Sequence, residues 1–489
     1  MNISELEVWD AKICEKAAEF GLSYYPQEFE ICDHNQMLGY MAYSGMPSHY
    51  PHWSHGKAYE KLKTLYDYGV SGIPYEMVIN SNPALAYLMR DNSLALQILT
   101  MAHVYGHNDF FKNNFTFRST NAALTLSSFK ARADRVRSYI EDPSIGIEKV
   151  ESLLDAAHAL SLQCRRHLAI KKLTPKEEAD RVLEAAKPPH DPFRKIHPPR
   201  EYVEPDMRQV PLSPDEDILL FIRDYNPHLE EWQKDLLTIV HEAAQYFIPQ
   251  IDTKIMNEGW ASFWHREILN ALDLPQGLYF EFLVRHNQVV RPLSKGLNPY
   301  HVGISVWDEI FLEYGGEARN EKERSFLERM RNEKDYTPPA DAAFYPTPYK
   351  KLFAVREEDR DVSFLRRYLS EFLMRELDLF QYELRKEDVV VTKVSDRDDW
   401  QEVKRTLLKN VGMGSVPVIK VENADHEGQR MLYVKHDYDG RDLELGYAEK
   451  TLEYLYRLWG RGVVLETFIN GKKVELAYND RGFTAKARK

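Results

Sequence analysis

Two runs of sequence decide the fold of this chain: Ala102-His103-Val104-Tyr105-Gly106-His107-Asn108-Asp109-Phe110-Phe111 and Asn257-Glu258-Gly259-Trp260-Ala261-Ser262-Phe263-Trp264-His265. On an α-helix each residue advances by roughly 100°, so His103 and His107 fall about 40° apart and share one face. By the same geometry Glu258 and His265 return to within about 20° of each other. Two helices packed with these faces together would present three imidazoles and a carboxylate, a ligand set suited to zinc or iron. The sequence therefore predicts a metal site in a helical core.

Two other interpretations of these runs stay open. The histidines stand among apolar residues such as Val104 and Phe110, so they could be core side chains that are hydrogen-bonded to backbone or carboxylates. Glu258 favours a metal, because a carboxylate among buried aromatics is seldom tolerated without a cation or a dense hydrogen-bond shell. If His265 completes four protein ligands, the tetrahedral shell is closed and the metal braces the fold; with three ligands, a position for water remains.

The composition describes a large globular protein. The chain has 489 residues, of which 43% are hydrophobic and 12% aromatic, which is enough for a sizeable core and more than one domain. The net charge is −12, and no segment concentrates Lys and Arg among aromatics, so nucleic acid is not an expected partner. We expect no signal peptide and no membrane span, because charges interrupt every apolar run. Three cysteines without Cys-x-x-Cys spacing favour a reduced, cytoplasmic protein. The oligomeric state cannot be inferred.

Helical periodicity dominates the first three quarters of the chain. It predicts helices over residues 5–20, 56–68, 83–107, 119–141, 145–170, 176–186, 215–225, 229–246, 252–272, 302–314 and 362–377. A proline-rich stretch near residues 187–214 is expected to form a crossing loop. The fold class is therefore mainly α, with a helical core domain over residues 1–380.

The pattern changes after about residue 380. Strand-like runs at 389–394, 416–421, 431–434 and 463–468 alternate with helical runs at 398–410 and 448–459. The order β-α-β-β-α-β predicts a small α+β domain of the ferredoxin-like type over residues 385–480.

Several runs resemble one known family over nearly the whole chain. They are Thr253 to His265, Asp109 to Asn114, Leu297 to Tyr300 and Tyr454 to Arg461, and they are similar to the stage V sporulation protein R family. The resemblance implies a cytoplasmic protein with a role in forming the spore cortex, a peptidoglycan layer. Family members also occur in bacteria that make no spores, often beside a serine protein kinase, and no settled biochemical activity comes with the name.

The resemblance also carries over a candidate metal site, because His103, His107, Glu258 and His265 match motif positions of the family. If His103, His107 and Glu258 hold zinc with a water in the open position, the metal would lower the water's pKa toward about 7 and polarise an amide carbonyl. That chemistry predicts an amidohydrolase or peptidase. Iron is less expected, because diiron bundles use several glutamates with Glu-x-x-His spacing.

Such a reaction needs further groups. Glu242 and Asp109 are the candidate general bases, and Tyr300 or His286 could donate to an oxyanion. Glu242 could equally be a solvated helix residue, and Asp109 could orient His107. His52, which falls on the family pattern, is a candidate substrate contact, with His286 as a second.

Two functions therefore stay open. The first is a metal-dependent hydrolase of amide or peptide bonds that is linked to cell-wall material. The second is a non-catalytic regulator or scaffold whose helical core binds protein partners of a serine-kinase pathway. The enzyme would lose activity in Glu258→Gln with its fold intact, whereas a scaffold would tolerate that change wherever partner binding survived.

Overall fold

The structure is a computed structural model that describes residues 3–68, 76–166, 171–187, 204–293, 296–334, 336–385, 388–395 and 399–487. Its helices in chain order are α1 (Ile3–Glu19), α2 (His34–Ala42), α3 (Trp53–Asp67), α4 (Leu94–Asn113), α5 (Thr125–Glu141), α6 (Ile147–Leu160), α7 (Pro175–Ala186), α8 (Ile218–Tyr225), α9 (Glu231–Asp252), α10 (Lys254–Ala271), α11 (Gln276–Val290), α12 (Pro299–Glu313), α13 (Glu321–Arg331), α14 (Pro348–Glu358), α15 (Asp361–Tyr368), α16 (Glu371–Glu376), α17 (Trp400–Asn410) and α18 (Leu445–Trp459). The strands are β1 (Gln27–Cys32), β2 (Glu76–Ile79), β3 (Ala84–Met89), β4 (Phe380–Arg385), β5 (Asp388–Val394), β6 (Ile419–His426), β7 (Met431–His436), β8 (Val463–Ile469), β9 (Lys472–Asn479) and β10 (Gly482–Ala487).

The chain forms two compact units, and each unit is made of two separate segments. The first unit contains residues 1–134 and 247–415, and the second contains residues 135–246 and 416–489. The sequence predicts two consecutive domains, 1–380 and 385–480. The contacts instead group residues that are distant in sequence: α17 packs on α15 and α16 of the first unit, and α6 packs on α18 of the second.

The core of the first unit is built around α4 and α10. From Ala95 to Phe111 every residue of α4 is buried, so this helix is enclosed on all sides, including the face that carries His103 and His107. Helix α10 packs against both α4 and α12. The indole rings of Trp260, Trp264 and Trp307 are fully buried in this packing.

A three-stranded sheet in the order β1-β3-β2 precedes α4. Here the predicted helix over 83–107 is wrong at its start, because residues Ala84–Met89 form the central strand, parallel to β1 and antiparallel to β2. A short continuous apolar run fits a buried strand as well as a helix, and periodicity alone cannot separate the two. Helix α4 starts only after Ser93, whose hydroxyl accepts a hydrogen bond from the Leu96 N–H.

The second unit contains a five-stranded sheet in the order β10-β9-β8-β7-β6. Strands β7 and β8 are parallel, and α18 connects them; the other neighbours are antiparallel, so the sheet is mixed. Helix α18 packs on β8 and β9 and, in addition, on α6. Its buried residues Leu452, Leu455 and Leu458 provide the apolar stripe for this contact.

The predicted fold class is confirmed, with a mainly helical core and a C-terminal α+β part. The strand order differs from the ferredoxin-like one, because β5 pairs with β4 as a hairpin in the first unit and so is absent from the five-stranded sheet. Of the predicted crossing loop, residues 188–203 lie outside the described residues. Its remainder belongs to the second unit, where the Ala424 N–H donates to the Val210 carbonyl over 2.7 Å.

None of the helices among the described residues combines the length and the apolar character that are needed to cross a bilayer.

Candidate metal centre

Glycines allow three helices of the first unit to approach closely. A Cβ atom added to Gly106 of α4 would lie 2.7 Å from the Cα of Ala261 in α10. On the other side of α10, a Cβ on Gly303 of α12 would lie 2.2 Å from the Ile255 carbonyl oxygen and 2.7 Å from the Gly259 Cα. Real Cβ atoms do not come this near, so glycine is required at these crossings. The backbones of α4 and α10 are therefore close enough for short side chains to meet between them.

The predicted pairing of the two helices is formed. The Oε2 atom of Glu258 lies 3.6 Å from the Nε2 of His103 and 3.4 Å from the Nε2 of His107. The two imidazole rings stand edge to face with their centroids 4.6 Å apart. Both histidines are buried, and the Glu258 side chain is only 19% exposed.

The two distances from the Glu258 Oε2 to the histidine nitrogens fit a bound ion. In a tetrahedral zinc site with bonds of roughly 2.0–2.1 Å, neighbouring ligand atoms are about 3.3 Å apart. The Nε2 of His103 and the Oε2 of Glu258 are buried and have no hydrogen-bond partner, which is unfavourable for a nitrogen and a carboxylate oxygen. A cation between them would satisfy both atoms. The residues therefore fit a metal ion.

Glu76, the first residue of β2, adds a second carboxylate. Its Oε1 lies 3.9 Å from the Nε2 of His103. One ligand atom each of Glu76, His103 and His107 lie within 4.8 Å of one another, so this buried group could hold a metal ion. Sequence reasoning missed Glu76, because a strand residue that precedes the histidine run carries no helical spacing to reveal it.

The far side of each imidazole is also engaged. The Nδ1 of His107 lies 2.9 Å from the Oδ1 of Asn257. Because an amide oxygen only accepts, Nδ1 carries the hydrogen, and the Nε2 lone pair points to the site. Outer partners of this kind commonly orient metal-bound histidines. Asn257, which precedes Glu258, was not predicted as a site residue.

A chain of three imidazoles begins at His103. Its Nδ1 lies 2.9 Å from the Nδ1 of His265, and the Nε2 of His265 lies 2.7 Å from the Nδ1 of His286. If His103 donates to His265 and His265 donates to His286, the Nε2 of His103 is left with a lone pair for a metal. His265 was predicted as a metal ligand, but both of its nitrogens face other imidazoles, so it reaches the site through His103.

The charges at the centre are strongly coupled. Burial disfavours the ionised form of Glu258, but the facing imidazoles of His103 and His107 outweigh it and hold the pKa of Glu258 below its ordinary value. Burial likewise opposes a charge on His107, yet the Glu258 carboxylate raises the pKa of that imidazole above 6.5. Burial raises the pKa of Glu76. Without metal, a proton on His107 thus offers the positive charge that the carboxylate of Glu258 needs.

Tyr300 of α12 completes the centre. Its ring is stacked against the ring of His103 with the centroids 6.0 Å apart. The charge of Glu258 and, secondly, burial raise the pKa of the Tyr300 phenol well above 10. The phenol therefore keeps its proton and can act as a hydrogen-bond donor. The predicted site residue Tyr300 is brought to the histidines.

Asp109 is enclosed in a different network. The backbone N–H of Ser23, the indole N–H of Trp260 and the guanidinium of Arg356 all donate to its carboxylate, at 2.7, 3.0 and 2.6 Å. These contacts join Asp109 to the segment between α1 and β1, to α10 and to α14. The hydrogen-bond partner of His107 is Asn257 instead.

The other predicted site residues have separate surroundings. His52 is buried and caps the start of α3, with its Nδ1 2.7 Å from the Ser54 hydroxyl. Glu242 lies on α9 in the second unit and is exposed. His286 is joined to the centre only through His265. The roles of His52, Glu242 and His286 stay predictions.

The comparisons with known proteins agree with the resemblance found in the sequence. The chain is 33% identical over 492 residues to the uncharacterised protein YcgB of Escherichia coli (strain K12), over 96% of this chain and 93% of that protein. No solved structure matches it. The family model described as SpoVR like protein matches residues 1–416, and the model described as SpoVR-like C-terminal domain matches residues 417–470. The chain therefore belongs to the SpoVR-like protein family.

Proposed function

We propose that this chain is a zinc-dependent hydrolase of amide or peptide bonds that acts on cell-wall material connected with the spore cortex. The observation that supports it best is the spacing of the buried Nε2 atoms of His103 and His107 and the Oε2 of Glu258, at 3.4 and 3.6 Å across the helix pair. Two histidines and one carboxylate are the protein ligands of many hydrolytic zinc sites, where a fourth position stays open. A cytoplasmic location and a partner in a serine-kinase pathway stay part of the proposal.

In the proposed site His103, His107 and Glu258 hold the ion. When bound, zinc would supply a Lewis acid that polarises a carbonyl and lowers the pKa of a water molecule. Asn257 and His265 keep the two imidazoles in the required tautomers by accepting from their Nδ1 atoms.

Glu76 and Tyr300 supply the proton chemistry in this proposal. The Glu76 carboxylate lies beside His103 and its raised pKa suits a general base. It replaces Asp109, whose oxygens are occupied, and Glu242, which is exposed. The phenol of Tyr300 would donate a hydrogen bond to the carbonyl oxygen as negative charge develops on it.

Elemental analysis of the purified chain tests the metal site first. Wild type is compared with His103→Ala and Glu258→Gln, and Glu242→Gln is the matched control because it removes an exposed glutamate. We expect near-stoichiometric zinc in wild type and in the control, and a loss of most of it in the two site variants. No metal in wild type after reconstitution would contradict the proposal, and near-stoichiometric iron would contradict its choice of ion.

Hydrolysis of peptidoglycan-derived peptides tests the catalytic part. In the proposed site Glu76 is the base and not a ligand, so Glu76→Gln is expected to retain zinc and to lose at least about 100-fold in kcat. Loss of zinc from this variant would instead make Glu76 a ligand. Retention of zinc without hydrolysis of any peptide by wild type would favour the scaffold function. In that case Glu258→Gln would leave partner binding unchanged.

A further inference from the structure

A large cavity lies in the first unit, beside α10, α11, α12 and α13. Its volume is about 1000 Å³, at the upper end for sites that enclose small molecules. Apolar side chains such as Phe282, Leu283 and Phe326 form part of its wall. His286, the last imidazole of the chain that begins at His103, also lines it.

Three acidic groups of the cavity, Glu267, Asp308 and Glu323, are paired with arginines that also line it. Asp308 receives two hydrogen bonds from Arg266, at 2.8 and 2.5 Å. The Nε of Arg319 lies 2.9 Å from the Oε1 of Glu267. Its Nη1 lies 3.0 Å from the Oδ1 of Asp308 and 2.9 Å from the Oε1 of Glu323. Each of these carboxylates therefore has an arginine partner, although three carboxylates share two guanidinium groups.

The remaining acid is neutralised by a residue outside the lining. Both oxygens of Glu376 accept hydrogen bonds from Arg329, the Nη2 to Oε2 bond being 2.8 Å long. Every carboxylate that lines the cavity thus has a guanidinium partner.

Two cations at the cavity have no such partner. Arg291, which follows α11, and Lys322 of α13 line the cavity and are exposed. Among the residues that the structure describes, no carboxylate oxygen lies within 4.0 Å of the charged nitrogens of either side chain. With Arg329 counted, five cations face four carboxylates, so the cavity carries a net positive charge, and Arg291 and Lys322 are its cations without a carboxylate partner.

We propose that this cavity binds a small organic molecule that carries an oxyanion, either a carboxylate or a phosphate. The oxyanion pairs with Arg291 and Lys322, because charge-assisted hydrogen bonds to such groups are the strongest that these side chains make. The apolar wall of Phe282, Leu283 and Phe326 covers the rest of the ligand. This inference goes beyond the proposed hydrolysis, since neither the metal ligands nor Tyr300 line the cavity.

Isothermal titration calorimetry on the full chain tests the proposal. The probes are N-acetyl-alanyl-alanine, its C-terminal amide and glycerol 2-phosphate, each at fixed ionic strength. The double variant Arg291→Gln, Lys322→Gln removes both cations, and Lys61→Gln, Lys350→Gln removes two exposed lysines that do not line the cavity. Each titration is repeated with chelator and with zinc.

At least one anionic probe is expected to bind wild type and the control alike. Its Kd should rise at least about tenfold in the cavity variant, and the uncharged amide should bind at least about tenfold more weakly than the free acid. A preference for the acid or for the phosphate identifies the oxyanion. Absence of binding by both anions, or equal binding to the cavity variant, overturns the proposal. Binding of the anion in the presence of chelator would show that the cavity works without zinc, so a failure of the proposed zinc site would not affect this result.

Discussion

The substitution Gly303→Ala tests the close helix crossing on which the centre depends. Its Cβ would lie 2.2 Å from the Ile255 oxygen and 2.7 Å from the Gly259 Cα, both of which are backbone atoms. An ordinary contact between carbon and oxygen is longer by roughly 1 Å, so α10 and α12 would have to separate by about that amount. Forcing extra volume into a packed core typically destabilises by about 1–3 kcal/mol, and alanine in a helix returns only about 0.5–1 kcal/mol relative to glycine.

We therefore expect Gly303→Ala to lower the free energy of unfolding of the first unit by up to about 2.5 kcal/mol relative to wild type, and by about 1–3 kcal/mol relative to a glycine-to-alanine change at an open helix position. Urea titration followed by tryptophan fluorescence measures this loss, because Trp260 and Trp307 are buried at the same crossing. The matched control is Gly56→Ala in α3, where an added Cβ meets nothing within 4 Å. The control should be slightly stabilising. Equal stability of Gly303→Ala and Gly56→Ala would refute the close crossing.

Three further substitutions test the centre and its surroundings. Asn257→Ala frees the Nδ1 of His107 and should weaken zinc binding by about 10–100-fold in a competitive chelator titration. Asp109→Asn leaves the buried guanidinium of Arg356 without its carboxylate and should reduce the free energy of unfolding by about 3–5 kcal/mol in urea. Burial raises the pKa of Glu309 from 4.5 to about 8, so the folded chain keeps a proton that the unfolded chain loses, and stability falls from pH 4.5 to 8. Glu309→Gln should make this fall smaller in urea titrations across that range, and the remainder comes from Glu313 and Asp361, whose pKa values burial raises to about 7.

Matched controls separate these effects from general ones. Asn270→Ala, at an exposed position of the same helix as Asn257, should leave zinc affinity unchanged. Asp91→Asn is the control for Asp109→Asn, and Glu317→Gln is the control for Glu309→Gln, because Asp91 and Glu317 are exposed. An unaltered zinc affinity in Asn257→Ala, or an unaltered stability in Asp109→Asn, would mean that the corresponding contact is not made. A pH dependence that is the same in Glu309→Gln and wild type would exclude a protonated Glu309 in the folded chain.

Helical spacing indicated the two histidines and Glu258 of the centre, but it did not indicate Glu76 or Asn257. His103 and His107 share one face of α4, and Glu258 shares one face of α10 with His265. On a long helix the repeat of 3.6 residues makes the direction of such side chains predictable. Glu76 could not be predicted in this way, because its approach to His103 depends on the pairing of β2 with β3, which no local pattern records. His265 lies on the predicted face, but its two nitrogens lie beside His103 and His286, a contact with α11 that the spacing within α10 does not indicate.

The same distinction applies to the fold. The long helices α4 and α10 carry enough residues for their periodicity to be read, whereas β3 is a six-residue apolar run that fits either state. The predicted ferredoxin-like strand order is wrong. The pattern of strands and helices gives the order of the elements along the chain, but it does not show which strands pair. Strand β5 pairs with β4, the strand directly before it in the chain, and so does not join the sheet of the second unit.

The glycine contacts at Gly106 and Gly303 have a consequence for the choice of ion. Helices that touch through their backbones have no side chain between them that could change rotamer and widen the gap. The helix backbones therefore fix how far apart the Cα atoms of the two histidines and of Glu258 lie. A calcium ion, with bonds of roughly 2.3–2.6 Å and six to eight oxygen ligands, would need both a wider gap and more oxygens than two carboxylates provide. If a metal ion binds here, the close approach of α4 and α10 at Gly106 would therefore favour a small cation over calcium.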